Sequence, residues 1–208
     1  MPASGVVNAF EYEPTIRLSV GHGGQSSEPG AVITWRKILE RDDTKVAVLE
    51  QLYQENRARA RFVPEVVSLL EQLDDAIAWR ALWLLHRAAE DGPIPEAELV
   101  RVAEMAGAFN HWAWRLLLCQ LFGTLACPPR AREELFPFLQ DCFSDRRVIV
   151  RAWALSAMWF FRHEPEFKGS ISRCLRVAQR DPGKAMQARL RQLGRMKRAN
   201  SAANGSTD

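Results

Sequence analysis

The chain is poor in the residues from which reactive centres are usually built. Its histidines, His22, His86, His111 and His163, are scattered. There is no HExxH pair to put two imidazoles on one helix face, no nucleophile elbow, and no glycine-rich loop to cradle phosphate. "GHGG" (Gly21 to Gly24) follows no strand-like run. The four cysteines (Cys119, Cys127, Cys142, Cys174) show no CxxC and no histidine at ligand spacing, which sets aside the common zinc modules. No catalytic residue, cofactor or metal site is expected. Long apolar runs are also wanting. The nearest, "VIVRAWALSAMWFF", is broken by Arg151 and Ser156, which makes it a buried helix rather than one of the ~20-residue segments that span a bilayer. No basic segment followed by an apolar one opens the chain, so no signal peptide is expected. Together with the cysteine usage, this predicts a reduced, cytoplasmic protein without membrane contact. Alternation of β-branched with polar residues is nearly missing between the two chain ends, which points to helix there. "FEYEPTIRLSV" (Phe10 to Val20) is a run that could form a short strand or pack back as an extended segment.

What is present is apolar and helical. Of 208 residues, 47% are apolar and 25% charged, which suits one globular unit or a short repeat array. Residues 1–30 contain "GHGGQSSEPG" and read as a flexible arm, with "FEYEPTIRLSV" as a possible extended segment within it. Residues 199–208, "ANSAANGSTD", read as a disordered tail. The domain proper is 31–198. Charge is unevenly spread over it. Residues 166–198 hold ten Lys/Arg against Glu166 and Asp181, a net of +8, whereas residues 1–165 sum to −4.

A repeat runs through this domain. Lys45, Arg80, Arg115, Arg151 and Arg189 recur at spacings of 35, 35, 36 and 38 residues. Each follows a polar helix-starter (Asp43, Asp75, Asn110, Asp145, Asp181) and sits in an apolar run. Asp and Asn suit helix starts because their side chains accept hydrogen bonds from unpaired backbone N–H groups. Shorter amphipathic helices fall between these runs, near 31–41, 64–73, 95–106, 129–143 and 166–180. Pro64, Pro95 and Pro129 lie near three of the starts, where a missing N–H costs little. About five helical hairpins follow, each too small to bury its apolar faces alone and stable only when stacked on neighbours.

The "AWRA", "AWRL" and "IVRA" segments, each behind an Asp or Asn, resemble the HEAT-repeat family over about residues 31–198. That resemblance implies an all-α, right-handed α-solenoid, and a ladder in which Arg80, Arg115 and Arg151 bridge to acidic caps on adjacent repeats. Lys45 and Arg189 match more loosely, as terminal repeats do.

Seven tryptophans are present, and six lie on three successive second helices: Trp79, Trp83, Trp112, Trp114, Trp153 and Trp159. Trp79 and Trp114 share the column before the arginine and are expected in the core. Trp112 and Trp153 do not, and are expected on an exposed concave ridge open to a partner. Arg173, Arg176 and Arg180 recur on one helix face, as a solvated terminal cap or as an electrostatic footprint for a polyanion. These features predict a non-catalytic scaffold or adaptor for a protein partner. The alternative is nucleic-acid binding. "FNHWAWRLLL" (Phe109 to Leu118) resembles the aromatic-arginine helix of HEAT-like alkylpurine DNA glycosylases. That family's essential aspartate has no clear counterpart; the nearest are Asp75 and Asp145.

Overall fold

A computed structural model describes residues 36–41, 44–72, 75–125 and 127–204. The expected arm over 1–30 and Trp35 lie outside the described residues. No strand occurs among those described, and the protein is all-α. After a helical stretch at 36–39 (α1) come α2 (Val46–Asn56), α3 (Phe62–Leu70), α4 (Asp75–Asp91) and α5 (Glu96–Met105). Then follow α6 (Trp112–Thr124), α7 (Arg132–Phe143), α8 (Val148–Trp159), α9 (Pro165–Gln179) and α10 (Lys184–Asn204). The last helix therefore carries on through 199–204, where the sequence predicts a disordered tail. Ala199, Ala202 and Ala203 are strong helix formers, and adding turns to an existing helix avoids the cost of nucleation.

Local chemistry sets the helix starts. Glu65 opens α3, Glu96 and Glu98 open α5, and Glu133 and Glu134 open α7, each favourable against the positive helix end. Pro165 occupies the first turn of α9, where its fixed φ fits and no N–H is missed. The acidic starters work slightly upstream of the cap position. Asp145 Oδ1 accepts from the Arg147 N–H at 2.8 Å, and Asp181 Oδ1 from the Gly183 N–H at 2.8 Å. Each carboxylate thus closes a turn that delivers the chain into its helix. At α6 the cap is His111, whose Nδ1 accepts from the Ala113 N–H at 3.4 Å. Asn110 instead donates to the Ala108 carbonyl.

The even-numbered helices pack in succession, α4 on α2, α6 on α4, α8 on α6 and α10 on α8. A second succession runs from α3 to α5 to α7. Contacts of α3 with α4, α7 with α8, and α9 with α10 join the two. The central even helices α6 and α8, each packed between two even neighbours, are apolar nearly all round for this reason. In α8, Val150, Ala152, Ala154, Leu155, Ala157, Met158 and Trp159 are all buried. Each fully buried leucine such as Leu118 or Leu155 contributes about 1.5–3 kcal/mol. Among the described residues, no helix is long and apolar enough to cross a membrane.

Candidate binding face

The arginine column is drawn into contacts between helices, each of a different kind. Arg80 is 4% exposed; its guanidinium donates to the Leu39 carbonyl at 2.7 Å and lies 5.0 Å from the Trp79 ring centre. Arg115 reaches forward to α7, donating to Asp141 at 2.6 Å and, through Nε, to the Cys142 sulfur at 3.3 Å. Arg151 donates to Asp181 Oδ2 from Nε at 3.2 Å and from Nη2 at 2.6 Å. Its remaining nitrogen donates to the carbonyls of Asp145 and Arg146 at 2.9 and 3.0 Å. Arg151 thus meets Asp181, the aspartate that starts the next second helix. That guanidinium and the Gly183 N–H hold the Asp181 carboxyl below its usual range. Lys45 is exposed at the start of α2.

The tryptophans divide by burial. Trp114 and Trp159 are buried, whereas Trp79, Trp83, Trp112 and Trp153 are half-buried against the core. Neither ridge candidate is bare. The Arg147 guanidinium lies 4.7 Å from the Trp112 ring centre, and His111 lies 5.9 Å away. Trp153 is enclosed more tightly, with the Arg189 guanidinium 3.5 Å from its ring centre. A Cβ added at Gly123 of α6 would stand 3.1 Å from the Trp153 ring, so a glycine within α6 is what lets the indole approach. Arg147 and Arg189 are the residues the sequence reading missed. Their signal is present in the repeat, because Arg147 follows Trp112 by 35 residues and Arg189 follows Trp153 by 36. Trp112 and Trp153 are thus each covered by an arginine from the next hairpin.

Arg173, Arg176 and Arg180 are exposed on α9, and Arg191 and Arg195 on α10. None forms an ion pair among the described residues; Arg173 donates to the Ser170 hydroxyl at 3.0 Å. Val177, 60% exposed, sits among the α9 arginines.

Two further clusters lie elsewhere. At the end of α4, Asp91 accepts from the Tyr53 hydroxyl at 2.7 Å, from Arg57 at 2.8 Å and from Arg87 at 2.7 Å. These donors hold its carboxyl down to about 2, while burial and that carboxylate push Tyr53 up to about 12. Tyr53, Arg57, Phe62, Asp91 and Ile94 border a cleft of about 430 Å³. Between α6 and α7, Cys119 and Cys142 are buried free thiols. The hydrogen bond from Cys119, with that from Arg115, lowers the Cys142 thiol, and burial drives Cys119 up. Among the described residues, no three His, Cys, Asp or Glu side chains are grouped to hold a metal ion.

Compared with family models, with curated proteins and with solved structures, the chain matches none.

Proposed function

We propose that this chain is a non-catalytic binding module: a right-handed α-solenoid of about five HEAT-like hairpins that serves as a scaffold or adaptor for a protein partner. The carrying observation is the two-succession packing, in which every even helix lies on the even helix before it. The odd row follows alongside through α3, α5 and α7, and the even row of five helices forms a continuous ridge. At ~8–10 Å per packed helix, five even helices present roughly 40 Å of surface. Trp112 and Trp153, with the arginines on them, belong to that ridge. Arg80, Arg115 and Arg151 hold neighbouring elements in register and serve the scaffold.

The runner-up is nucleic-acid binding, favoured by the unpaired Arg173, Arg176 and Arg180. Kinship with the alkylpurine glycosylases would need a free aspartate, and Asp145 is engaged by the Arg147 backbone N–H.

Capture from native extract, with and without nuclease, separates the two. Protein partners should persist after nuclease and be lost with Trp112→Ser. Partners released by nuclease would instead favour the nucleic-acid reading.

A further inference from the structure

Arg147 and Arg189 are the two guanidiniums laid on tryptophans of the preceding even helix. Neither is well neutralised. Arg147 approaches the Asp145 carboxylate only to 3.9 Å, and its side chain is 49% exposed. Among the described residues, Arg189 donates one hydrogen bond, to the Gln192 side-chain oxygen at 2.6 Å, and has no carboxylate partner. Burial alone pulls its guanidinium down to about 10, so a cation is partly removed from water with nothing opposite it. A fold gains little from such an arrangement, because desolvating an unpaired charge is costly. An incoming anion would offset that cost.

The stacking also defines what the anion must be. A guanidinium lying flat on an indole is held by cation–π attraction. Its N–H groups then point outward from the edge as a fork matched to a carboxylate. One face of each indole is already taken. Trp153 has Arg189 over its ring and Gly123 of α6 beside it, and Trp112 has Arg147 over its ring. Single-stranded nucleic acids rely on open aromatic faces for base stacking, and a base stacking on these rings would have to displace a guanidinium from the covered face.

We propose that the even-helix row binds an acidic peptide segment of its partner, with Arg147 and Arg189, each fixed on a tryptophan, receiving its carboxylates. This rests on the binding-module reading and adds the partner's chemistry. The C-terminal excess of +8 over residues 166–198 supplies the long-range attraction.

The test is a fluorescence anisotropy titration of the full chain. The probes are a labelled Glu-rich peptide, its Gln-rich counterpart, and an oligothymidylate of matched length, at low and high salt. The Glu-rich peptide should bind, weaken with salt and outcompete the other two. Arg147→Gln and Arg189→Gln should each weaken it about tenfold, the loss of one charge-assisted contact. Arg191→Gln, exposed and unstacked, should change it by less than about twofold, as expected for a lone surface charge. Arg189→Lys keeps the charge without the planar fork and should fall between. Circular dichroism reports whether each variant remains helical, and the Lys variant decides if Arg189→Gln unfolds. Absence of salt-sensitive binding to the Glu-rich peptide overturns the proposal, as does equal weakening by Arg191→Gln or preference for the oligothymidylate. If the Glu-rich peptide fails while nuclease-resistant protein partners are still captured, the acidic segment is wrong and the module reading stands. If capture fails as well, both fall.

Discussion

From α2 to α5, Arg57, Arg87 and Arg101 meet carboxylates, although Arg87 also lies 4.9 Å from the Tyr53 ring centre and Arg80 lies on Trp79. Arg57 and Arg87 share Asp91, Arg87 also reaches Glu50 at 3.2 Å, and Arg101 bridges Glu71 and Glu98 at 2.7 and 2.6 Å. From α8 onward the same residue type lies on aromatic rings instead: Arg147 on Trp112, Arg162 on Trp159, Arg189 on Trp153. Beyond these, Arg173 and Arg176 of α9 and Arg191 and Arg195 of α10 face solvent. The helices are alike in both regions, so architecture does not explain the difference. A guanidinium paired with a carboxylate has its charge answered within the chain. One stacked on an indole is held in place but keeps its charge and most of its donors. Arg57, Arg87 and Arg101 therefore have their charge answered within the chain, whereas Arg147 and Arg189 are proposed to meet an external anion.

Within the C-terminal region Arg151 meets Asp181 in the manner of the N-terminal pairs, as Arg132 of α7 meets Glu164 at 2.6 Å. The Arg151–Asp181 pair is well shielded, with side chains 24% and 14% exposed, and two carbonyls complete the guanidinium. Arg151→Ala should give the largest loss, about 3 kcal/mol, near the lower end for breaking a buried pair. In a chain of this size that lowers the melting midpoint by roughly 6–12 °C. Arg151→Lys should recover only part, because an ammonium cannot serve both the carboxylate and the carbonyls. A wild-type melting curve for Arg151→Ala would show that α10 is held on α8 by apolar packing alone.

Arg115 should cost less although its side chain is only 14% exposed. Its partner Asp141 is 72% exposed, and once released that carboxylate is solvated freely. Arg115→Ala is expected to destabilise by about 1–2 kcal/mol in urea denaturation, mainly from lost packing and the Cys142 contact. A loss equal to that of Arg151→Ala would mean that exposure of the partner does not set the scale.

The all-helical fold was legible because apolar runs of helical period fill the chain while β-branched alternation is nearly missing. The kind of partner each arginine meets was not legible, since it depends on which neighbour happens to lie within reach: a carbonyl at Leu39, an exposed Asp141, a shielded Asp181. Trp153 shows the same limit. Its place outside the Trp–Arg column suggested exposure, yet the missing Cβ at Gly123 admits the ring between helices. The glycine inside an apolar helical run was the available signal. The Tyr53–Asp91 network joins two helix ends 38 residues apart, and nothing in either local sequence distinguishes them from ordinary helix ends.

That network predicts a pH dependence confined to the N-terminal region. Tyr53 is raised to about 12 in the fold, so its contribution is fully present below the ordinary tyrosine value near 10 and is lost as pH rises toward 12. Asp91 is lowered to about 2, so its contribution is present above the ordinary carboxyl range near 4 and is lost as pH falls through 2. Tyr53→Phe should cost about 1 kcal/mol at neutral pH, within the range for a hydrogen bond, and should flatten the alkaline limb of a stability–pH profile. An unchanged alkaline limb would place the titration elsewhere.

The smallest effect on stability, and a large one on encounter, is expected at the end of the C-terminal region. Arg173, Arg176 and Arg180 are exposed and bridge no helices, so reversing all three to Glu should shift stability by no more than about 0.5 kcal/mol. Their charges still extend a field of one sign around α9 and α10. If they contact polyanions, the wild type should bind oligonucleotides weakly, at ~10⁻⁴–10⁻⁶ M, with a log–log salt slope of about −5 for six phosphates engaged. The triple reversal should weaken that binding across all sequences alike, because phosphate contacts position a ligand without reading it. The Glu-rich peptide separates this field from the stacked arginines. Held at a salt concentration where the Debye length is about 8 Å, the triple reversal should slow its association more than it speeds its release, whereas Arg189→Gln should do the opposite. Stopped-flow measurement of both rates decides it. Equal changes in both rates for both variants would merge the two sets of arginines into one undifferentiated basic surface, and the contrast between stacked and solvated cations would lose its functional meaning.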